Sequence, residues 1–135
     1  MKNLLILSIT LIFAFACKTS QKGGLTLEEV KKSLQTEEND EIICDGNESQ
    51  TFELCQTNLN DSQVDALRKF LIYEKSSGKV VLEKSVVGGY VKWVDDTKVE
   101  FYTVPGIIKD GQSKNDFVKI YDVATGQTVG KTTPM

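Results

Sequence analysis

Hydrophobic positions along this 135-residue chain follow three patterns, and each predicts a different element. The first is continuous. Leu4 to Ala16 reads LLILSITLIFAFA, apolar except for Ser8 and Thr10, behind the charged start Met1, Lys2, Asn3. The second has helical spacing: Leu27, Val30 and Leu34 lie three and four apart, which predicts a short helix from Leu27 to about Gln35 whose apolar stripe can cover a sheet. Thr26, Leu27, Glu28, Glu29 opens it as a capping box, with the Thr26 hydroxyl and the Glu29 carboxylate each accepting from the other residue's backbone N–H. Its polar side, Glu28, Lys31 and Lys32, reads as solvated surface.

The third pattern has period two and fills most of the remainder. In EIICDGNESQTFELC, residues 41–55, the β-prone pieces Glu41–Cys44 and Thr51–Cys55 flank the turn-rich DGNES, predicting a hairpin or compact loop. NDSQVDAL, residues 60–67, offers Asp61 as an N-cap for one or two helical turns. Strands are predicted at 69–75, 79–86, 90–94, 98–104, 116–122 and 127–131, joined by turns at SSG, GG, DDT and ATG, with a longer connection from Pro105 to Asn115. Alternation is clearest in KVEFYTV, where Val99, Phe101 and Thr103 share one face and Lys98, Glu100 and Tyr102 the other. The fold class that follows is mainly β, at the margin of α+β: a small antiparallel meander of about six strands, one short N-terminal helix and a closed loop.

An internal repeat runs through the strands. IYEKSSGKVV, residues 72–81, aligns with IYDVATGQTV, residues 120–129, at an offset of 48. The segment between them, VKWVDDTKVEFY, resembles the central strands of TolB-like and peptidase-type β-propeller blades, and the resemblance covers about residues 70–131. One blade and a fraction cannot close a ring. The resemblance therefore implies either an open six-stranded meander under the helix or closure borrowed from another subunit. If the repeat is structural, Gly78 and Gly126 share a turn position that favours positive φ, and Val at either should cost more than the surface range of about 0.5 kcal/mol, by similar amounts. The competing expectation is a helix running on from Asp61 through Val64, Leu67 and Leu71.

The continuous run has a different destiny. Thirteen helical residues rise only about 20 Å, too short for a bilayer, but they form the n- and h-regions of a secretory signal. Ala14, Phe15, Ala16 supplies an A-x-A cleavage pattern. With Cys17 the same residues resemble the lipobox of bacterial lipoproteins, although Ala14 stands where Leu is commonest and Phe15 where a small residue is usual. The resemblance implies a thioether-linked lipid on Cys17, membrane attachment through it, and, with Lys18 in place of the Asp that marks inner-membrane retention, an outer-membrane location. Residues 1–16 are then a signal peptide, 17–25 the lipidated cysteine and a tether, and 26–135 one small β-rich domain. With Cys17 assigned, Cys44 and Cys55 remain as a pair, and a disulfide between them would contribute roughly 3 kcal/mol by loop closure.

Charge and composition narrow the chemistry. Only Lys2 leaves with residues 1–16, so the net charge moves from −3 to −4, and the charge is uneven: residues 17–61 carry 4 basic and 10 acidic side chains, residues 62–135 carry 11 and 9. No basic cluster supplies a nucleic-acid face. Histidine is absent, which removes the commonest general base and every His-based nucleophile or zinc arrangement. No cofactor and no metal are expected. Adjacent Asp95 and Asp96 read as turn residues, as do Asp45, Asn47 and Glu48, whose spacing lacks the ligand series of a calcium loop.

What remains is recognition. The longest loop, VPGIIKDGQSKND at 104–116, carries Ile107, Ile108, Lys109 and Asp110 as the candidate binding loop. One isoleucine is expected to plug the end of the sheet; exposure of both would mark a contact site. Tyr73, Tyr90, Trp93, Tyr102 and Tyr121 are expected in the core and in cross-strand pairs rather than on a ligand face. The sequence thus points to a non-catalytic, lipid-anchored binding module whose partner is an envelope protein or small ligand. A carboxylate-dependent hydrolase of envelope polymers and a periplasmic inhibitor or immunity-type lipoprotein are the alternatives.

Overall fold

The computed structural model describes residues 23–59 and 65–131. Cys17 with the apolar run, and Asp61 with most of the 60–67 segment, lie outside them. The helix α1 spans Leu27–Leu34 and begins as its capping box requires: Glu29 N–H donates to Thr26 Oγ1 at 3.3 Å and Thr26 N–H to Glu29 Oε2 at 2.7 Å. Val30 and Leu34 are fully buried.

Eight strands follow: β1 Ile42–Gly46, β2 Phe52–Thr57, β3 Leu67–Glu74, β4 Lys79–Val87, β5 Tyr90–Trp93, β6 Lys98–Tyr102, β7 Val118–Asp122 and β8 Gln127–Gly130. They form two antiparallel meanders of four strands each, β1-β2-β3-β4 and β5-β6-β7-β8. The protein is mainly β, and the segment read as a closed loop is the first hairpin of the first sheet. Cys44 and Cys55 sit directly opposite each other on β1 and β2, bonded as a disulfide with Cα atoms 4.0 Å apart.

Two local expectations change. Residues 70–74 are strand, so the helical continuation past Asp61 is absent: Phe70 and Ile72 face one way and Leu71 and Tyr73 the other, both rows buried, and a helix would have offered the chain only one apolar face. Gly88–Gly89, read as a turn between neighbouring strands, is the crossover between sheets. Both glycines have φ near +60°, and a side chain at Gly89 would run into the Tyr102 carbonyl oxygen.

Packing is layered. Cys55, Leu71 and Tyr73 on one face of the first sheet meet Val30 and Leu34 of α1. Leu54, Phe70, Ile72 and Val86 on its other face meet Val91, Val99, Phe101 and Tyr121 of the second sheet, with the Phe70 and Phe101 rings 5.5 Å apart. At about 1.5–3 kcal/mol per fully buried large apolar side chain, this seam outweighs any polar contact in the molecule. The order is helix, sheet, sheet, and among the described residues no further layer covers the outer face of the second sheet.

The 48-residue offset has a structural counterpart. Glu74 pairs with Lys79 and Asp122 with Gln127; Gly78 N–H donates to Glu74 O at 3.0 Å and Gly126 N–H to Asp122 O at 2.8 Å; φ is +66° and +70°. Each hairpin also carries a tyrosine that reaches the layer beneath. The Tyr73 hydroxyl donates to Leu25 O at 2.6 Å, and the Tyr121 hydroxyl to Val81 O at 3.2 Å. The surroundings differ, however. A Cβ on Gly78 would lie 2.6 Å from Gly24 Cα, whereas one on Gly126 meets nothing within 4 Å, so equal costs at the two sites are not expected. Leu25 N–H also donates to Gly78 O at 2.9 Å, so the chain is held to the β3–β4 turn before the helix starts.

Candidate functional site

The candidate loop leaves β6 and returns through a 3-10 turn, Lys114–Phe117, where a strand was expected to begin. Val104 N–H donates to Val87 O at 3.0 Å, fixing one end to the first sheet. Ser113 N–H donates to Asp116 Oδ2 at 2.6 Å and caps the returning turn. Between them Lys109 and Gln112 close a small turn, Gln112 N–H to Lys109 O at 3.0 Å and Lys109 N–H to Gln112 Oε1 at 2.9 Å. Ile107 is 83% exposed and Ile108 59%, so neither plugs the sheet's end. Pro105 and Phe117, at the two bases of the loop, are half-buried instead. Lys109 and Asp110 are exposed beside the isoleucines.

Beside the loop lies the uncovered face of the second sheet. Tyr90 and Lys92 of β5 stand opposite Tyr102 and Glu100 of β6, with Ile120 and Val129 on the next two strands. Glu100 is only 4% exposed. Its carboxylate accepts from the Tyr90 hydroxyl at 2.6 Å and from Lys131 Nζ at 2.9 Å, with Lys92 Nζ at 3.9 Å. The Tyr90 hydrogen bond, with the two lysines, holds Glu100 below the usual carboxylate range against the effect of burial. The same bond pushes Tyr90 up to about 12. Glu100 is therefore an anion and Tyr90 a neutral donor at physiological pH, neither free to act as a general base. The Tyr90 and Tyr102 rings are 5.8 Å apart, and Lys114 Nζ sits 5.4 and 4.9 Å from their centroids, a cation over two π faces.

The aromatics thus separate. Tyr73 and Tyr121 are buried, and Trp93 packs against the inter-sheet core while its indole N–H donates to Asp45 O at 3.0 Å. Tyr90 and Tyr102 form the cross-strand pair of the outer face. Alternation in KVEFYTV placed Glu100 and Tyr102 together. It gave no sign that Lys92, Lys114 and Lys131, from three separate segments, converge on them.

Asp95 and Asp96 act in turns, as expected, whereas Asp45, also read as a turn residue, lies in β1 opposite Leu54. Asp95 Oδ1 accepts from the backbone N–H groups of Thr97 and Lys98, both at 2.9 Å, and these bonds, Thr97 first, lower its pKa. Asp96 clasps the two sheets together: its carbonyl accepts from Asn47 Nδ2 at 2.8 Å and its carboxylate from Ser49 N–H at 2.7 Å. Buried Asn47 spends its remaining capacity on Ser49, Thr51 and Phe52. Among the described residues no three metal-ligating side chains gather, and no helix is long and apolar enough to cross a membrane.

The fold defines a class in outline: two four-stranded antiparallel meanders stacked face to face, a helix on one outer face, and a disulfide in the covered sheet. Beyond that class, no protein-family model, no characterised protein and no solved structure matches the chain.

Proposed function

We propose that the chain is a lipid-anchored lipoprotein of a bacterial envelope, attached through Cys17 and most simply placed in the outer membrane, where it acts as a non-catalytic binding or protein-interaction module. The observation that carries the binding half is the exposure of both Ile107 and Ile108 on a loop that is bonded to the first sheet at Val104 and re-enters β7 through a capped 3-10 turn. Exposed adjacent apolar residues on a rigid frame suit burial against a partner, and the neighbouring Tyr90, Tyr102 and Lys114 supply aromatic and cationic contacts of the kind enriched at interfaces. The anchor half is supported by the apolar run that ends at Cys17 and by the lipobox-like Ala14-Phe15-Ala16-Cys17.

Both halves are testable in cells. Metabolic labelling with a clickable fatty acid is expected to mark the protein, and Cys17→Ala to abolish label and membrane fractionation together; a variant that keeps the label removes the anchor. A photoreactive residue at position 107 is expected to give one discrete adduct in the intact envelope, lost when Ile108 becomes Asp. An adduct that survives Ile108→Asp, or none at all, removes the loop as the contact.

A further inference from the structure

The two sheets part at one end of their seam and leave a cleft of about 420 Å³, within the size range of small-molecule sites. Lys84, Ser85, Phe101, Thr103, Phe117 and Lys119 form most of its lining, with Pro105 and Asp116 at the base of the loop. The placement of its two lysines is unusual. Lys84 on β4 stands opposite Phe70, and Lys119 on β7 stands opposite Phe101, so both occupy inward-facing rows of the pleat, and Phe70 and Phe101 are the pair in contact across the seam. Both lysines are exposed at the open end of the seam, with their rows of the pleat turned toward the cleft.

Neither lysine has a carboxylate within ion-pair distance among the described residues. Asp116, the one acid among the lining residues, is turned to its own cap, accepting from Ser113 N–H at 2.6 Å. Inward charges can serve to guard an exposed sheet edge, and that accounts for Lys84 on the edge strand β4. It does not account for Lys119, because β7 lies between β6 and β8. Two cations from different sheets, the Thr103 hydroxyl and an apolar floor line one space.

We propose that this cleft binds a small organic monoanion, a carboxylate carried on an aromatic or branched apolar body. The carboxylate sits between Lys84 and Lys119 with the Thr103 hydroxyl as a further donor, and the body lies on Phe101 and Phe117. Two lysines against the one acid of Asp116 leave the lining with a single net positive charge, which matches a monoanion. The site does not depend on the contact role of Ile107 and Ile108, although Pro105 and Phe117 tie it to the same loop.

The test is a titration of the ¹⁵N-labelled full chain in zwitterionic detergent with three matched probes: benzoate, benzyl alcohol and acetate. Benzoate is expected to shift the amides of Ser85, Thr103, Phe117 and Lys119 along one saturable curve. Benzyl alcohol, which lacks the charge, and acetate, which lacks the ring, are each expected to bind at least about fivefold more weakly. Lys84→Gln and Lys119→Gln are expected to weaken benzoate by about fivefold or more each while keeping a dispersed native spectrum, and Lys79→Gln, on the same strand outside the cleft, to leave it unchanged. Equal binding of benzyl alcohol, unchanged benzoate binding in the Lys84→Gln, Lys119→Gln double variant, or shifts confined to residues away from the cleft would each overturn the proposal.

Discussion

The two sheets share a plan and differ in what they face. Each is a four-stranded meander with a glycine turn between its last two strands and a tyrosine hydroxyl bonded to the layer beneath. The first is closed on both sides, by α1 and by the second sheet, and is stapled by Cys44–Cys55. The second is closed on one side only. Where the outer face of the first sheet carries Cys55, Leu71 and Tyr73 against the helix, the outer face of the second carries Tyr90, Lys92, Glu100 and Tyr102 with Lys131 bonded to Glu100, a charged and aromatic surface. Like architecture thus divides into a half that holds the fold and a half that presents a surface.

The largest change strikes both halves. Phe70→Ala empties the seam beside Phe101 and is expected to cost about 3–5 kcal/mol, unfolding both sheets in one transition measured by denaturant titration. Two separate transitions would show that the sheets do not share a core. Reduction of Cys44–Cys55 is expected to cost roughly 3 kcal/mol by freeing the enclosed loop, with the loss reported first by amides of β1 and β2. An unaltered midpoint after complete reduction would deny the staple its role.

The glycine turns sharpen the comparison further. Gly126→Val meets only the positive-φ penalty, about 1–2 kcal/mol, while Gly78→Val adds a collision with the Gly24 backbone and is expected to cost at least about 1 kcal/mol more. Equal losses would place Gly24 away from the turn in solution. The smallest effect belongs to the outer face. Glu100→Gln is expected to return the Tyr90 ionisation from about 12 toward the ordinary value, read by spectrophotometric titration. It also removes a carboxylate with a depressed folded-state pKa. Such a group stabilises above its unfolded pKa of about 4.3, and that stabilisation is lost as pH falls through the folded value, so the variant's acid unfolding limb is expected to be shallower.

Local chemistry was legible in the sequence, and long-range partnership was not. Thr26 and Glu29 announce the helix start because both bonds of the box are made within four residues. The glycine turns and the faces of β6 follow from spacing alone, and the Cys44–Cys55 pair from the cysteine count once Cys17 is set aside. The division into two sheets was hidden, since Gly88–Gly89 looks like any hairpin turn until Val87 and Tyr90 are seen pairing with different neighbours. The outer face was hidden for the same reason: alternation assigns a residue to a side but does not say which strands stand next to it. Lys84 and Lys119 show this most plainly: both are exposed, and only the opposing sheet reveals that they line the same cleft.

The central claim is that contact with a protein partner falls on the loop and outer face of the second sheet, while the first sheet is closed on both faces. Residue-resolved amide hydrogen exchange, compared between the purified protein and the protein in its native envelope, tests this directly. Added protection is expected in the envelope at residues 104–117 and along β8, with α1, β1 and β2 unchanged. Protection gained at α1 instead, or at neither region, would contradict the claim.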